Sequence, residues 1–95
     1  MSLTVKFIGS LRHLSGKTQF IVNLQDSISV KQLIETINQK LPTLKNTFCD
    51  QELNDSRWSN SIILVNGREI SVLKGIETRL CDGDEVVFVP VVHGG

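Results

Sequence analysis

Apolar residues recur at every second position in two segments near the amino terminus. Residues 3–8 and residues 18–24 both follow this alternation, which is the period of a half-buried β-strand. Gly9-Ser10 ends the first segment, and the stretch from Leu11 to Gly16 is typical of a loop. The pattern predicts two strands that form a hairpin.

A helical period follows the second strand. Ser29 precedes apolar residues at i, i+3, i+4 and i+7 spacing, and Pro42 would stop the helix. The apolar set comprises Val30, Leu33, Ile34, Ile37 and Leu41. Ser29 or Ser27 is expected to cap the helix, because its hydroxyl can accept a hydrogen bond from the first turn. From Leu44 to Asn60 the period dissolves, which predicts a loop with room for one short helical turn.

Two short strands and a turn are predicted after this loop. The β-branched run from Ser61 to Val65 precedes Asn66-Gly67, a strong hairpin signal because both residues tolerate positive φ. Arg68 to Ile70 would be the short returning strand. Leu73 to Leu80 is expected to be irregular, and Asp82-Gly83-Asp84 to form a tight turn.

A last strand, Glu85 to Val91, completes the pattern. The order strand, strand, helix and three strands (ββαβββ) suits an α+β fold with two layers. A mixed five-stranded curled sheet would fold over one main helix. This shape is the ubiquitin-like β-grasp.

The predicted sheet has more apolar positions than one helix can cover. The positions expected to face the helix are Leu3, Val5, Phe7, Val22, Ile62, Leu64, Val86 and Phe88. The far face or edge would then hold Ile8, Ile21, Ile63, Val87, Val89 and Val91. Such a surplus usually marks a partner surface on a small domain. Alternatively, the loop from Leu44 to Asn60 covers part of it.

Composition narrows the class of protein. Ninety-five residues with 40% hydrophobic content suit a single domain. Ten basic residues balance ten acidic ones without a block of like charge, which argues against direct nucleic-acid binding. No leader pattern opens the chain, and the longest apolar run, Val86 to Val92, is broken by Pro90 and too short to span a bilayer. We expect a soluble cytoplasmic protein without membrane association, monomeric on its own.

The sequence carries no recognisable catalytic or metal-binding constellation. Cys49 and Cys81 form no Cys-x-x-Cys motif and are expected to be reduced, partly buried thiols. Asp82 and Asp84 flank a turn glycine, so a structural role outweighs a metal site. The domain is therefore expected to be no enzyme, and to have no catalytic residue, bound cofactor or metal of its own.

The chemistry is predicted at the carboxyl terminus, Val91-Val92-His93-Gly94-Gly95. Two glycines give a narrow, flexible backbone that can enter a channel in another protein. A carboxylate becomes an electrophile once its oxygen is made a leaving group, so adenylation of Gly95 with ATP is the expected first step. A sulfur nucleophile would then give a thiocarboxylate, and an amine an isopeptide bond. Residues 1–92 are accordingly predicted to form the domain, and residues 93–95 the reactive tail.

Four segments resemble the small sulfur carriers of the MoaD/ThiS family and their relative, the ubiquitin-related modifier. They are Val5 to Arg12 with Gly16 shortly after, Ile63 to Ile70, Leu80 to Val86, and the Gly-Gly end. The resemblance implies a β-grasp fold and adenylation of Gly95 by a ubiquitin-activating-type (MoeB/ThiF-like) enzyme that consumes ATP. It also implies conversion of Gly95 to a thiocarboxylate.

The resemblance leaves several roles open. A molybdopterin-synthase small subunit delivers its sulfur within a large catalytic subunit, whereas the ubiquitin-related modifier serves thiolation of tRNA or is attached to lysines of target proteins. The ending His93-Gly94-Gly95 resembles the modifier, while Asn66-Gly67-Arg68 and Asp82-Gly83-Asp84 favour the MoaD side. A plain β-grasp interaction module with an incidental glycine end is a third hypothesis.

Gly95 and Gly94 are thus the predicted site of activation or conjugation. The predicted partner-docking residues on the tail and sheet face are His93, Val91, Val89, Val87, Ile63, Ile8 and Arg12. Arg12 could meet an acidic patch on an activating enzyme, although exposed arginines near turns are mostly solvated. None of the six lysines is singled out as an acceptor of a modifier.

Overall fold

A computed structural model describes residues 1–41 and 61–90 of the chain. The elements in chain order are β1 (Ser2–Phe7), α1 (Ser10–Ser15), β2 (Gln19–Asn23), α2 (Val30–Lys40), β3 (Ser61–Val65), β4 (Arg68–Glu69) and β5 (Glu85–Pro90), with 3-10 turns at Ile70–Val72 and Gly75–Glu77. The predicted main helix and the five predicted strands are all confirmed.

The strands form one sheet in the order β2-β1-β5-β3-β4. Strands β1 and β5 pair in parallel at its centre, and the other neighbours are antiparallel. The predicted amino-terminal hairpin is confirmed, with Leu3 opposite Val22. Because β5 pairs with β1 on one side and β3 on the other, the strand that leads into the tail is held along both edges.

Helix α2 begins at the predicted cap. The Ser29 hydroxyl accepts a hydrogen bond from the Gln32 N–H at 3.2 Å, and the Gln32 side-chain oxygen accepts one from the Ser29 N–H at 2.9 Å. This reciprocal pair satisfies two N–H groups that the helix itself leaves free. The Ser27 hydroxyl donates instead to the Leu80 carbonyl at 2.7 Å, so Ser29 is the cap. Pro42, the predicted stop, lies outside the described residues.

One face of α2 packs against the inner face of the sheet. The buried apolar residues of this core are Leu3, Val5, Phe7, Leu11, Val22, Val30, Leu33, Ile34, Ile37, Ile63, Val65, Leu80, Val86 and Phe88. The ring centroids of Phe7 and Phe88 lie 5.8 Å apart across the central strand pair. Strands β1 and β5, which come from opposite ends of the described chain, therefore meet in the core.

Two predicted turns lie at the end of the sheet where β1 and β5 begin. Asn66 and Gly67 both have positive φ, 50° and 86°, as a two-residue hairpin turn requires. The Asp84 carboxylate accepts hydrogen bonds from the Asn66 side chain at 2.9 Å and from the Cys81 N–H at 2.7 Å. Asp82 accepts one from the Ser2 N–H at 2.7 Å. Both aspartates are structural parts of the turn.

The predicted loop from Leu11 to Gly16 is wrong, because helix α1 occupies Ser10–Ser15. Leu11 is fully buried and anchors this helix to the core. Gly9 and Gly16 bracket it with φ of 62° and 73°, conformations that glycine adopts without a steric penalty. Six residues are too few to show a helical period in the sequence.

The predicted inward face of β3 is also wrong. Ile63 and Val65 are buried, whereas Ile62 is exposed and Leu64 half-buried. The pairing explains the reversal, since Ile63 lies opposite Phe88 and Val65 opposite Val86. Residues directly opposite each other share a face of the sheet, and those two β5 residues point into the core.

Smaller differences concern the region before β5. Strand β4 ends at Glu69, because Ile70 begins the first 3-10 turn, and a second turn interrupts the segment predicted to be irregular. Cys81 is exposed and not partly buried as predicted, while Cys49 lies outside the described residues. None of the described helices is long and apolar enough to cross a membrane.

Candidate functional site

The predicted reactive residues Gly94 and Gly95, together with Val91 and His93, lie outside the described residues. The structure describes the point from which they extend, the end of β5. Pro90 lies opposite Ser61 of β3, and the Ile8 N–H donates to the Phe88 carbonyl at 3.0 Å. The predicted tail is therefore attached to a strand that is hydrogen-bonded on both sides.

Gly9 packs directly against this attachment point. A Cβ atom built on Gly9 would lie 3.2 Å from Cγ of Pro90, tighter than an ordinary van der Waals contact. The Gly9 backbone has φ 62° and ψ −133°, a combination that disfavours residues with a side chain. Glycine at this position thus allows the start of α1 to approach Pro90, the residue from which the predicted tail extends.

An apolar surface, which we call the outer face, covers the side of the sheet away from α2. It consists of Ile8, Ile62, Leu64, Val87 and Val89. Ile62 lies opposite Val89 and Leu64 opposite Val87. Ile8 and Ile62 are each 40% exposed, and the other three are half-buried. Apolar residues thus lie beside the end of β5, from which the predicted tail extends, on β5 itself and on its neighbour β3.

The structure corrects one predicted docking residue and retains four. Ile63 is 2% exposed and belongs to the core, so it cannot meet a partner; Ile62 occupies the outer face in its place. Ile8, Val87, Val89 and Arg12 are at least partly accessible, as a docking role requires. That role itself stays a prediction.

The outer face ends at a charged pair on its β1 side. Lys6 and Glu85 form an ion pair of 2.8 Å, and both side chains are about two-fifths exposed, 39% and 42%. An ion pair in this setting contributes little to stability. It does place polar groups at the border of the apolar surface, between the outer face and Ile21 on β2.

Basic residues line a shallow cavity beside Gly9, the residue that contacts Pro90 at the end of β5. Its lining residues are Gly9, Arg12, His13, Gly16, Lys17 and Thr18. Among the described residues, none that lines it is acidic, and Arg12 and Lys17 form no ion pair. Because Gly9 contacts Pro90 and also lines this cavity, the cavity adjoins the point from which the predicted tail extends.

A protein-family model with the description "ThiS family" matches residues 5–95. The match covers nearly the whole chain, including both glycines of the tail. The chain belongs to the ThiS family. The resemblance predicted from four sequence segments is thereby confirmed.

Individual proteins agree with the ThiS-family assignment. Ubiquitin-related modifier 1 of Schizosaccharomyces pombe is 34% identical over 100 aligned positions, which cover both chains completely. The solution structure of small archaeal modifier protein 1 from Methanosarcina acetivorans superposes with a TM-score of 0.80 at 28% identity, covering 99% of this chain and 96% of that one. This ThiS-family chain is accordingly a ubiquitin-like protein with the β-grasp fold, of the sulfur-carrier and modifier class.

A second similar structure was solved with a protein partner. The crystal structure of the BexX/CysO complex of Amycolatopsis orientalis contains a chain that matches with a TM-score of 0.73 at 22% identity, covering 98% of this chain and 99% of that one. At this level of identity the match concerns the fold. It shows the same fold within an assembly of two different proteins.

Sequence reasoning missed two features of the site. It did not predict the contact between Gly9 and Pro90, because they lie far apart in the chain and meet only through the parallel pairing of β1 with β5. It also missed the basic cavity, although Arg12, His13 and Lys17 are spaced closely enough to suggest one. The predicted loop gave Arg12 and His13 no defined position, and Lys17 lies beyond the end of α1 (Ser10–Ser15).

Proposed function

We propose that this ThiS-family protein is the substrate of a ubiquitin-activating-type enzyme, which adenylates the carboxylate of Gly95. The observation that carries the proposal is that the family match continues through Gly94 and Gly95. Those residues follow a strand that is paired along both edges. A firmly held strand followed by two glycines suits delivery of the Gly95 carboxylate into a channel, while the folded domain stays outside.

The proposed reaction has two steps. A Gly95 carboxylate oxygen attacks the α-phosphorus of ATP, pyrophosphate leaves, and an acyl-adenylate forms. A hydrosulfide or persulfide sulfur then attacks the carbonyl carbon, and AMP leaves with the former carboxylate oxygen; a persulfide also needs a thiol to release the thiocarboxylate. An amine of a target lysine attacking the same carbon would give an isopeptide bond. The protein itself would be the substrate and carrier, with no catalytic residue, and ATP would bind to the enzyme.

Two surfaces support docking of the activating enzyme beside the tail. The outer face, with Ile8 and Ile62 exposed, offers apolar area that association could bury. The basic cavity around Arg12 and Lys17 offers positive charge that no described residue pairs, which would favour an acidic rim around the channel. Both adjoin Pro90, so a single partner could contact them while it holds the tail. Residues 1–92 would then act as the docking domain and residues 93–95 as the reactive tail.

The direct test is thiocarboxylate formation on the purified protein. The chain is incubated with ATP, sulfide and the ubiquitin-activating-type enzyme of the same organism, and the intact mass is measured. We expect sulfur to replace one oxygen of the wild-type protein. The matched control is the variant that lacks Gly95, which should stay folded by circular dichroism and gain no sulfur. Wild-type protein without an adduct, beside an enzyme that modifies another carrier, would count against the proposal.

A second candidate is the dedicated small subunit of molybdopterin synthase. The Asn66-Gly67-Arg68 and Asp82-Gly83-Asp84 segments favour it, because they resemble the MoaD side of the family. Co-purification with a synthase large subunit, and molybdopterin formation that depends on Gly95, would select this role. Thiolation of tRNA that depends on Gly95 would select the alternative. Unchanged cellular activity after deletion of Gly95 would indicate a plain β-grasp interaction module.

A further inference from the structure

The two edges of the sheet differ in what they offer a partner. Strand β4 at one edge has two residues, Arg68 and Glu69, and both are charged. Strand β2 at the other edge has five residues, Gln19–Asn23, and pairs only with β1 among the described elements. It contains no charged residue and no proline, the features by which natural proteins usually protect an edge.

The hydrogen bonds to β1 show which backbone groups of β2 have no hydrogen-bond partner among the residues that the structure describes. The Phe7 N–H donates to the Thr18 carbonyl at 2.9 Å, and the Leu24 N–H donates to the Met1 carbonyl at 2.7 Å. Even-numbered residues of this segment therefore point their N–H and C=O groups toward β1. Because these directions alternate along an antiparallel strand, the groups of Gln19, Ile21 and Asn23 point away from the sheet.

The side chains on this edge suit an added strand. Ile21 is 53% exposed at the centre of β2, on the same side of the sheet as the outer face. Gln19 and Asn23 flank it symmetrically and are exposed. In an antiparallel pair centred on Ile21, two copies of β2 would place Ile21 opposite Ile21, and Gln19 opposite Asn23. All three open residues would form the hydrogen-bonded pairs of that register.

The charges next to β2 agree with this register. Lys17 precedes the strand and Asp26 follows it, and both are exposed. Neither forms an ion pair with a residue that the structure describes. With Ile21 opposite Ile21, the end of β2 next to Lys17 in each copy lies beside the end next to Asp26 in the other. A two-fold axis then creates two complementary contacts of opposite charge.

We propose that β2 is a self-complementary interface, through which two copies of this chain pair antiparallel about Ile21 and join their sheets edge to edge. This departs from the monomer expected from the sequence and does not rest on the proposed function. Strand β5 lies two strands away from the interface, so both tail roots would stay accessible. The contact area of one strand is small, and we expect a dissociation constant on the order of 0.1 to 1 mM, in the range of transient contacts.

The test combines sedimentation equilibrium with amide hydrogen exchange on the intact chain, at concentrations up to about 1 mM. We expect a monomer–dimer equilibrium and slower exchange of the Gln19, Ile21 and Asn23 amides as concentration rises. Ile21→Lys should abolish both effects, whereas Ile62→Lys, the same substitution on the outer face, should leave them unchanged. Folding of each variant is verified by circular dichroism.

A charge exchange tests the register. Lys17→Glu and Asp26→Lys should each raise the dissociation constant about 3- to 10-fold, since each exposed pair contributes modestly and the axis repeats it. The double variant Lys17→Glu/Asp26→Lys should restore the wild-type constant. A strictly monomeric wild type, a dimer insensitive to Ile21→Lys, or a double variant that does not recover would each overturn the proposal. Protection of the β2 amides only with a different protein would overturn it as well.

Discussion

Replacing Gly9 by alanine tests how closely helix α1 approaches the root of the tail. The Gly9 backbone conformation, φ 62° and ψ −133°, would cost an alanine about 2 kcal/mol. The added methyl group would also lie 3.2 Å from Cγ of Pro90, and this overpacking should add about 1 kcal/mol. We therefore expect Gly9→Ala to lower the free energy of unfolding by about 3 kcal/mol.

Gly16→Ala is the matched control at the other end of α1. Its φ of 73° and ψ of 11° are left-handed, and a Cβ there meets no atom within 4 Å. We expect this variant to lose only about 1 kcal/mol, for its backbone conformation. Urea titrations followed by far-UV circular dichroism measure both losses. In thermal melts they correspond to decreases in Tm of about 4 to 8 °C for Gly16→Ala and two to three times as much for Gly9→Ala.

The difference between the two losses in unfolding free energy tests the contact between Gly9 and Pro90. A Gly9→Ala loss equal to or smaller than that of Gly16→Ala would refute the close contact with Pro90. A functional measurement adds a second criterion. At a temperature at which both variants are folded, thiocarboxylate formation should be slower in Gly9→Ala than in Gly16→Ala, because only Gly9 contacts the strand end that carries the tail.

Two further predictions concern the core and the main helix. Ile63→Ala should lower the free energy of unfolding by about 2 to 4 kcal/mol, because it leaves a cavity in the core, whereas Ile62→Ala should change it by about 0.5 kcal/mol or less; a urea titration that reversed this order would contradict the observed face of β3. Ser29→Ala should cost about 1 kcal/mol in the same assay and Ser29→Gly clearly less, since glycine is tolerated at an N-cap; equal losses would argue against a capping role.

Strong local signals made most of the fold predictable from the sequence. The spacing from Val30 to Leu41, the Ser29 cap and the Asn66-Gly67 turn each depend on neighbouring residues. The inward face of β3 could not be predicted in the same way. In the run from Ile62 to Val65 every residue is apolar, so alternation carries no information, and only the pairing with Phe88 and Val86 determines which residues are buried.

The family of the protein was predictable from the sequence, whereas the surroundings of the predicted tail were not. The two terminal glycines and the family segments are readable directly from the chain, and the family match confirms the assignment. The neighbours of the tail root are brought there by long-range pairing. The contact of Gly9 with Pro90 depends on the parallel alignment of β1 and β5, and the outward direction of the Ile21 backbone groups depends on which side of β2 pairs with β1. Such relations follow from topology, which local patterns do not encode.

The central position of β5 also has a consequence for how the chain folds. The Ser2 N–H and the Asp82 carboxylate, next to the parallel pair, are separated by 80 positions in sequence, so closing the middle of the sheet requires a large loss of chain entropy. Contacts of this range slow folding. On the ribosome, β1 and β2 can form their hairpin early, but the gap beside β1 stays open until the last strand emerges. The strand that leads to the predicted reactive end would thus also complete the sheet, which links synthesis of the last strand to maturation of the domain.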